Sequence, residues 1–158
     1  VISSRARGLT LVEVLVVVIV LLIAAALLLP LGSQAARRDK IARCMGNLKA
    51  LHAAQAAAGP PGPNLGTAYW LRLKDRVSPE TLRCPLVDRP EAPECLYLGP
   101  RTDPAELRDV HPIGADAEIN HSSNGRQGGN VLLKSGEVQT EKGDSLFWGD
   151  VRSKYCRP

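Results

Sequence analysis

Aromatic residues are scarce: one Phe, two Trp and three Tyr in 158 residues, and none precedes Tyr69. A chain this short, 44% hydrophobic, holds one small domain, which excludes a large multidomain enzyme. Acidic groups are nearly missing from the first third, where residues 1–58 carry seven basic side chains against only Glu13 and Asp39. Residues 59–158 carry 13 basic and 14 acidic. The pI near 9.0 therefore belongs to the N-terminal part. Nucleic-acid binding wants a basic face with interleaved aromatics on the folded domain, and the part that contains the aromatics is close to neutral, so no nucleic-acid partner is expected. None of the four cysteines stands in a Cys-x-x-Cys pair, which ranks zinc ligation below disulfide bonding.

What the sequence does have is a long apolar run. Val14 to Leu29 is unbroken, and the 23 residues from Leu9 to Leu31 make a helix of roughly 35 Å against a hydrocarbon core of about 30 Å. This predicts a transmembrane helix over 9–31. Arg5 and Arg7 ahead of the run also fit the order of a secretory signal peptide. Glu13 near its start, the length of the run and the helical pattern beyond it argue for retention. Glu13 is the informative residue, because a carboxylate at the edge of a membrane helix is costly unless it has a partner. No basic side chain lies at helical spacing from it within the run.

The segment Gly8-Leu9-Thr10-Leu11-Val12-Glu13-Val14-Leu15 resembles the processing and methylation motif of type IV pilins and type II secretion pseudopilins. The resemblance implies that residues 1–8 form a basic leader, that a prepilin peptidase cuts after Gly8, and that Leu9 becomes the methylated first residue. Leu9 stands where that family most often has Phe. Glu13 is then fifth, and Pro30 falls 22nd, where many pilins carry a helix-bending proline. Implied partners are other pilin or pseudopilin subunits, the prepilin peptidase and the bacterial inner membrane, with the leader inside and the head extracytoplasmic. The positive-inside rule alone is ambiguous, since Arg37, Arg38, Lys40 and Arg43 follow the span. Physics agrees with the resemblance: processing leaves an α-amino group at Leu9 that needs a counter-charge in an apolar setting. Glu13 of a neighbouring subunit can supply it and fix the axial register between helices.

Beyond Pro30 the spacing predicts an amphipathic helix over 32–58, with Ile41, Met45, Leu48, Leu51, His52 and Gln55 on one face and Arg38, Lys49 and Ala53 elsewhere. Proline removes a backbone bond and clashes one turn back, so Pro30 is expected to bend it. Gly59-Pro60-Pro61-Gly62-Pro63-Asn64 stops it. His52 reads as a packed side chain rather than a ligand. In the head, 59–158, Tyr69 to Lys74 reads as a short helix. A second helix starts at Ser78-Pro79-Glu80, with Ser78 capping and Pro79 in the first helical position. Gly129 to Lys134 and Glu137 to Glu141 read as a β-hairpin around Ser135-Gly136, its end covered by Phe147-Trp148. The expected fold class is α+β: a long N-terminal helix whose soluble half packs on a small antiparallel sheet, pilin-like.

A broader resemblance covers most of the chain. Asn47-Leu48-Lys49, Leu82-Arg83-Cys84-Pro85, Tyr97-Leu98-Gly99, Asp116, Asn120-His121 and Gly128-Gly129-Asn130-Val131-Leu132 together look like the planctomycete-type pilin-like proteins with a C-terminal His…Asp-Gly motif. Where that group usually has Asp-Gly-His, this chain has Ser135-Gly136-Glu137.

Cys44, Cys84, Cys95 and Cys156 all follow the span, in a compartment inferred to be oxidising, and allow three pairings. Cys84 and Cys95 flank a loop with Pro85, Pro90 and Pro93, which makes them the better pair, and Cys44 would by elimination meet Cys156. No catalytic role is expected. Asp116 with His121 is the nearest enzyme-like pair, but Ser122 and Ser123 beside His121 do not make a triad by adjacency. Glu141, Asp144 and Asp150, with Gly143 and Gly149, could hold Ca²⁺, although they lack the dense alternating oxygens of a calcium loop. No other cofactor is expected. Two functions follow: a structural subunit of a pilus-like or pseudopilus filament, or a single-pass anchored protein that binds a ligand or partner without polymerising.

Overall fold

The computed structural model describes residues 10–60, 62–87, 91–117 and 128–158, with the backbone alone described over 27–34. It divides into two compact units, Val1–Arg38 and Asp39–Pro158. One helix assignment, α1, runs Leu11–Ala58 and ends at the Gly59-Pro60 breaker. It continues through Pro30, whose side chain lies outside those described.

In the first unit the large apolar side chains from Leu11 to Ile23 are between 45% (Val18) and 82% (Leu11) exposed. Among the described residues no helix is long and apolar enough to cross a membrane. The described part of the apolar run, 11–26, is shorter than the ~20 residues a span needs, and the predicted span 9–31 extends beyond it at both ends.

The second unit is an α+β head. Its five-stranded antiparallel sheet has the order β4-β3-β2-β1-β5, with β1 Tyr97–Pro100, β2 Pro112–Asp116, β3 Gly129–Leu133, β4 Val138–Glu141 and β5 Cys156–Arg157. The predicted hairpin is β3–β4, with Leu132 opposite Val138. Gly136 turns it at φ +88°, a backbone conformation that L side chains adopt at a cost, directly beneath the His52 ring.

Both faces of the sheet are covered. On one, Leu48 and Leu51 of α1 and Tyr69, Trp70 and Leu73 in and after α2 (Thr67–Leu71) pack with Tyr97, Ile113, Leu132 and Val138. On the other, Leu98, Ala115, Val131 and Leu133 meet Trp148 of α3 (Leu146–Asp150), Val151 and Cys156. Full burial of each large apolar side chain is worth about 1.5–3 kcal/mol. Ile113 and Ala115 serve opposite faces although they are two residues apart. The pairing of β2 with β3 slips between Pro112 and Gly114, and this bulge reverses the side-chain parity. Gly114 leaves space for the Trp70 indole, where a Cβ would come within 2.8 Å of Cζ2, and the indole N–H donates to the Leu98 carbonyl at 2.9 Å.

The start at Ser78-Pro79 is a 3₁₀ turn, Pro79–Leu82, rather than an α-helix. Ser78 holds the N-cap position, but its hydroxyl pairs with the Thr81 hydroxyl at 3.1 Å instead of capping a backbone N–H.

Both expected disulfides are corrected. The bond joins Cys44 to Cys84, with Cα atoms 5.4 Å apart, while Cys95 and Cys156 are buried free thiols. Asn47, one turn along α1 from Cys44, explains the pairing. Its Nδ2 lies 3.1 and 2.9 Å from the carbonyls of Glu80 and Arg83 and 3.2 Å from Tyr97 Oη, which clamps the turn against the helix and presents Cys84 to Cys44. Cys95 is instead drawn into the core with Tyr97, its thiol donating to the Tyr97 carbonyl at 3.6 Å. Cys156 lies in β5 among the side chains on the other face of the sheet from α1, so the sheet separates it from Cys44.

Candidate assembly site at the start of the N-terminal helix

Thr10 and Glu13 form a reciprocal cap at the start of α1. The Thr10 backbone N–H and hydroxyl donate to Glu13 Oε2 at 2.8 and 2.9 Å, and the Glu13 N–H donates to Thr10 Oγ1 at 3.3 Å. This Thr-x-x-Glu box satisfies amides that the first helical turn leaves without partners and sets a carboxylate at the positive end of the helix dipole. Sequence reasoning that looked for a charged partner of Glu13 missed this polar one, although the three-residue spacing was visible. The Thr10 amide would survive a cut after Gly8, so the box is compatible with processing. Gly8 and Leu9 themselves lie outside the described residues.

The apolar surface next to this cap is continuous. Twelve large aliphatic side chains from Leu11 to Ile23 are exposed, in a stretch with no charge beyond Glu13. Exposed apolar area on this scale marks a surface that takes lipid or another chain.

The other predicted candidates are dispersed. Asp150 pairs with Lys154 at 2.9 Å, and Glu141 lies at the end of β4. Neither these nor Asp144 is among the described side chains whose donor atoms converge; that group is Cys44, Cys84 and Asp116. Asp116 is fully buried at the end of β2, and its Oδ2 accepts from the Asn130 N–H at 2.8 Å. His121, Ser122 and Ser123 lie outside the described residues. Ser135-Gly136-Glu137 is the β3–β4 turn, and His52 Nε2 stands 3.2 Å from the Lys134 carbonyl, which fits the packing role expected of that histidine. A cleft lined by Lys74, Asp75, Pro79, Leu82, Arg83 and Glu94 carries both signs of charge and none of these candidates.

A family model described as the prokaryotic N-terminal methylation motif matches residues 3–29. This defines a chain with a prepilin-type N-terminus. It thereby carries the signature of the type IV pilin and pseudopilin family, and the match spans Gly8, Leu9 and Glu13. A motif of this kind implies association with other pilin subunits and with the prepilin peptidase. No curated protein and no solved structure matches the chain.

Proposed function

We propose that this protein is a structural, non-catalytic subunit of a type IV pilus-like or type II secretion pseudopilus filament, assembled through its N-terminal helix. The observation that carries the reading is the coincidence of the methylation motif with the exposed aliphatic stretch Leu11 to Ile23. A helix that is apolar all round needs lipid before assembly and other helices after it. In this reading the 9–31 segment holds the chain in the bacterial inner membrane with the head extracytoplasmic. The peptidase cuts after Gly8, and the new Leu9 amine pairs with Glu13 of a neighbour.

The cap supplies a sharper test of Glu13 than removal of its side chain. Glu13→Gln keeps an amide oxygen that can accept from Thr10, since Gln also serves at this position, but carries no charge. Glu13→Ala removes both. If the carboxylate neutralises a neighbour's amine, both variants lose filaments while their heads fold as in the parent. Filament yield from Glu13→Gln close to that of the parent would overturn the counter-charge role and leave only the cap.

A further inference from the structure

The head brings together three donors that its sequence keeps far apart. Cys44 comes from α1, Cys84 from the loop after the Pro79–Leu82 turn, and Asp116 from the end of β2. Their ligand atoms all lie within 4.8 Å of one another, and each of the three residues is 0–1% exposed. The Asp116 carboxylate is held in place by the backbone, because Oδ2 accepts from the Asn130 N–H at 2.8 Å. Such an outer bond is what fixes a carboxylate ligand toward a metal. Leu96, with Leu86, Val87 and Ala92, forms an apolar shell around the two sulfurs.

We propose that, when the Cys44–Cys84 bond is reduced, these residues hold a thiophilic divalent cation of the Zn²⁺ class on the two sulfurs and an Asp116 oxygen. Disulfide and metal are then alternative occupants of one buried site. Two thiolates favour a borderline-soft ion over Ca²⁺ or Mg²⁺. The geometry asks for little movement. Tetrahedral zinc with bonds of about 2.3 Å to sulfur sets the sulfurs roughly 3.8 Å apart, and the clamp of Asn47 on the 80–83 turn keeps the two cysteines facing each other in either state. Three protein donors leave one of four positions for a water or an added ligand.

The chemistry balances with an external dithiol or phosphine as reductant. Two electrons and two protons cleave the S–S bond to two thiols: a dithiol supplies both and is oxidised to its disulfide, whereas a phosphine supplies the electrons and one water supplies the two protons and the oxygen of the phosphine oxide. Zn²⁺ then displaces both thiol protons to solvent as the two Zn–S bonds form. Reoxidation by a disulfide releases the ion.

The test uses the full chain in detergent, oxidised or reduced with a phosphine that is then removed, each incubated with Zn²⁺ and desalted. Metal analysis should find about one zinc per reduced chain and none per oxidised chain. Co²⁺ in place of Zn²⁺ should give thiolate-to-metal charge-transfer absorption only in the reduced chain. Asp116→Asn should weaken zinc binding roughly tenfold or more, while non-reducing peptide mapping still finds Cys44 joined to Cys84 after reoxidation. Replacing both Cys95 and Cys156 by Ser should leave uptake unchanged. A reduced parent chain that takes up no metal would overturn the proposal without any variant. Uptake that survives Cys44→Ser, vanishes with Cys95 and Cys156, or is indifferent to Asp116→Asn would also overturn it.

Discussion

Two stretches of the same helix assignment solve opposite problems. From Leu11 to Ile23 every large side chain except Glu13 is aliphatic, and all twelve of these aliphatic side chains are exposed. From Cys44 to Gln55 one stripe, Cys44, Leu48, Leu51 and Gln55, is buried while Lys49 and Ala53 face solvent. The second stretch has its partner within the chain, in the form of the sheet and α2. The first is covered by nothing among the described residues of its own unit. Helical propensity cannot separate the two; the distribution of polar residues around the axis does. Stability of the head should therefore depend on the second stretch and its partners, and assembly on the first.

The largest effect expected from breaking that division is in the sheet core. Trp70→Ala removes a fully buried indole and its bond to Leu98, and should cost the head about 3–5 kcal/mol in thermal or denaturant unfolding. Val18→Ala should leave the same transition within about 0.5 kcal/mol of the parent. A comparable loss from Val18→Ala would show that the two stretches are not independent.

Next is the covalent tie within the head. Cys44→Ser opens a link across a sequence separation of 40 and should cost up to about 4 kcal/mol in the chain-entropy picture. Non-reducing peptide mapping of the parent should show Cys44 joined to Cys84, with alkylatable thiols at Cys95 and Cys156 only after unfolding.

A smaller effect sharpens the comparison by pH. Burial pushes the Cys95 thiol up from its usual 9.0 to about 11 and Cys156 to about 12, while Tyr69 rises from 10.0 to about 12 for the same reason. These groups keep their protons in the folded head at pH values where the unfolded chain has begun to lose them. Their contribution is full below about pH 9 and falls as pH rises toward 11–12. Head unfolding followed from pH 8 to 11 should show falling stability, and the fall should be shallower in Cys95→Ser.

Local signals were legible in the sequence, and contacts between distant segments were not. The helix end at Ala58, the helix at Tyr69-Trp70 and the β3–β4 hairpin are marked by glycine and proline at the boundaries themselves. Strands β1 and β2 are not, because Tyr97-Leu98-Gly99-Pro100 and Pro112-Ile113-Gly114-Ala115-Asp116 are short, carry strand-breaking residues and are buried on both faces, which removes the alternation. The cysteine pairing failed for a related reason. Closeness in sequence favoured Cys84 with Cys95, but the Asn47 clamp acts between residues more than 30 positions apart. At the candidate assembly site Glu13 was legible as an unusual carboxylate, whereas its bond to Thr10 required reading the same residue as a cap.

The central claim is that the N-terminal helix is processed and packed into a filament, and the most direct test is the mass of the chain's N-terminus in material that sediments as filaments from its native host. The account predicts a chain that begins at Leu9 and carries one added methyl group. Filaments whose subunits still carry residues ahead of Leu9, or a processed chain that never sediments with filaments, would contradict it.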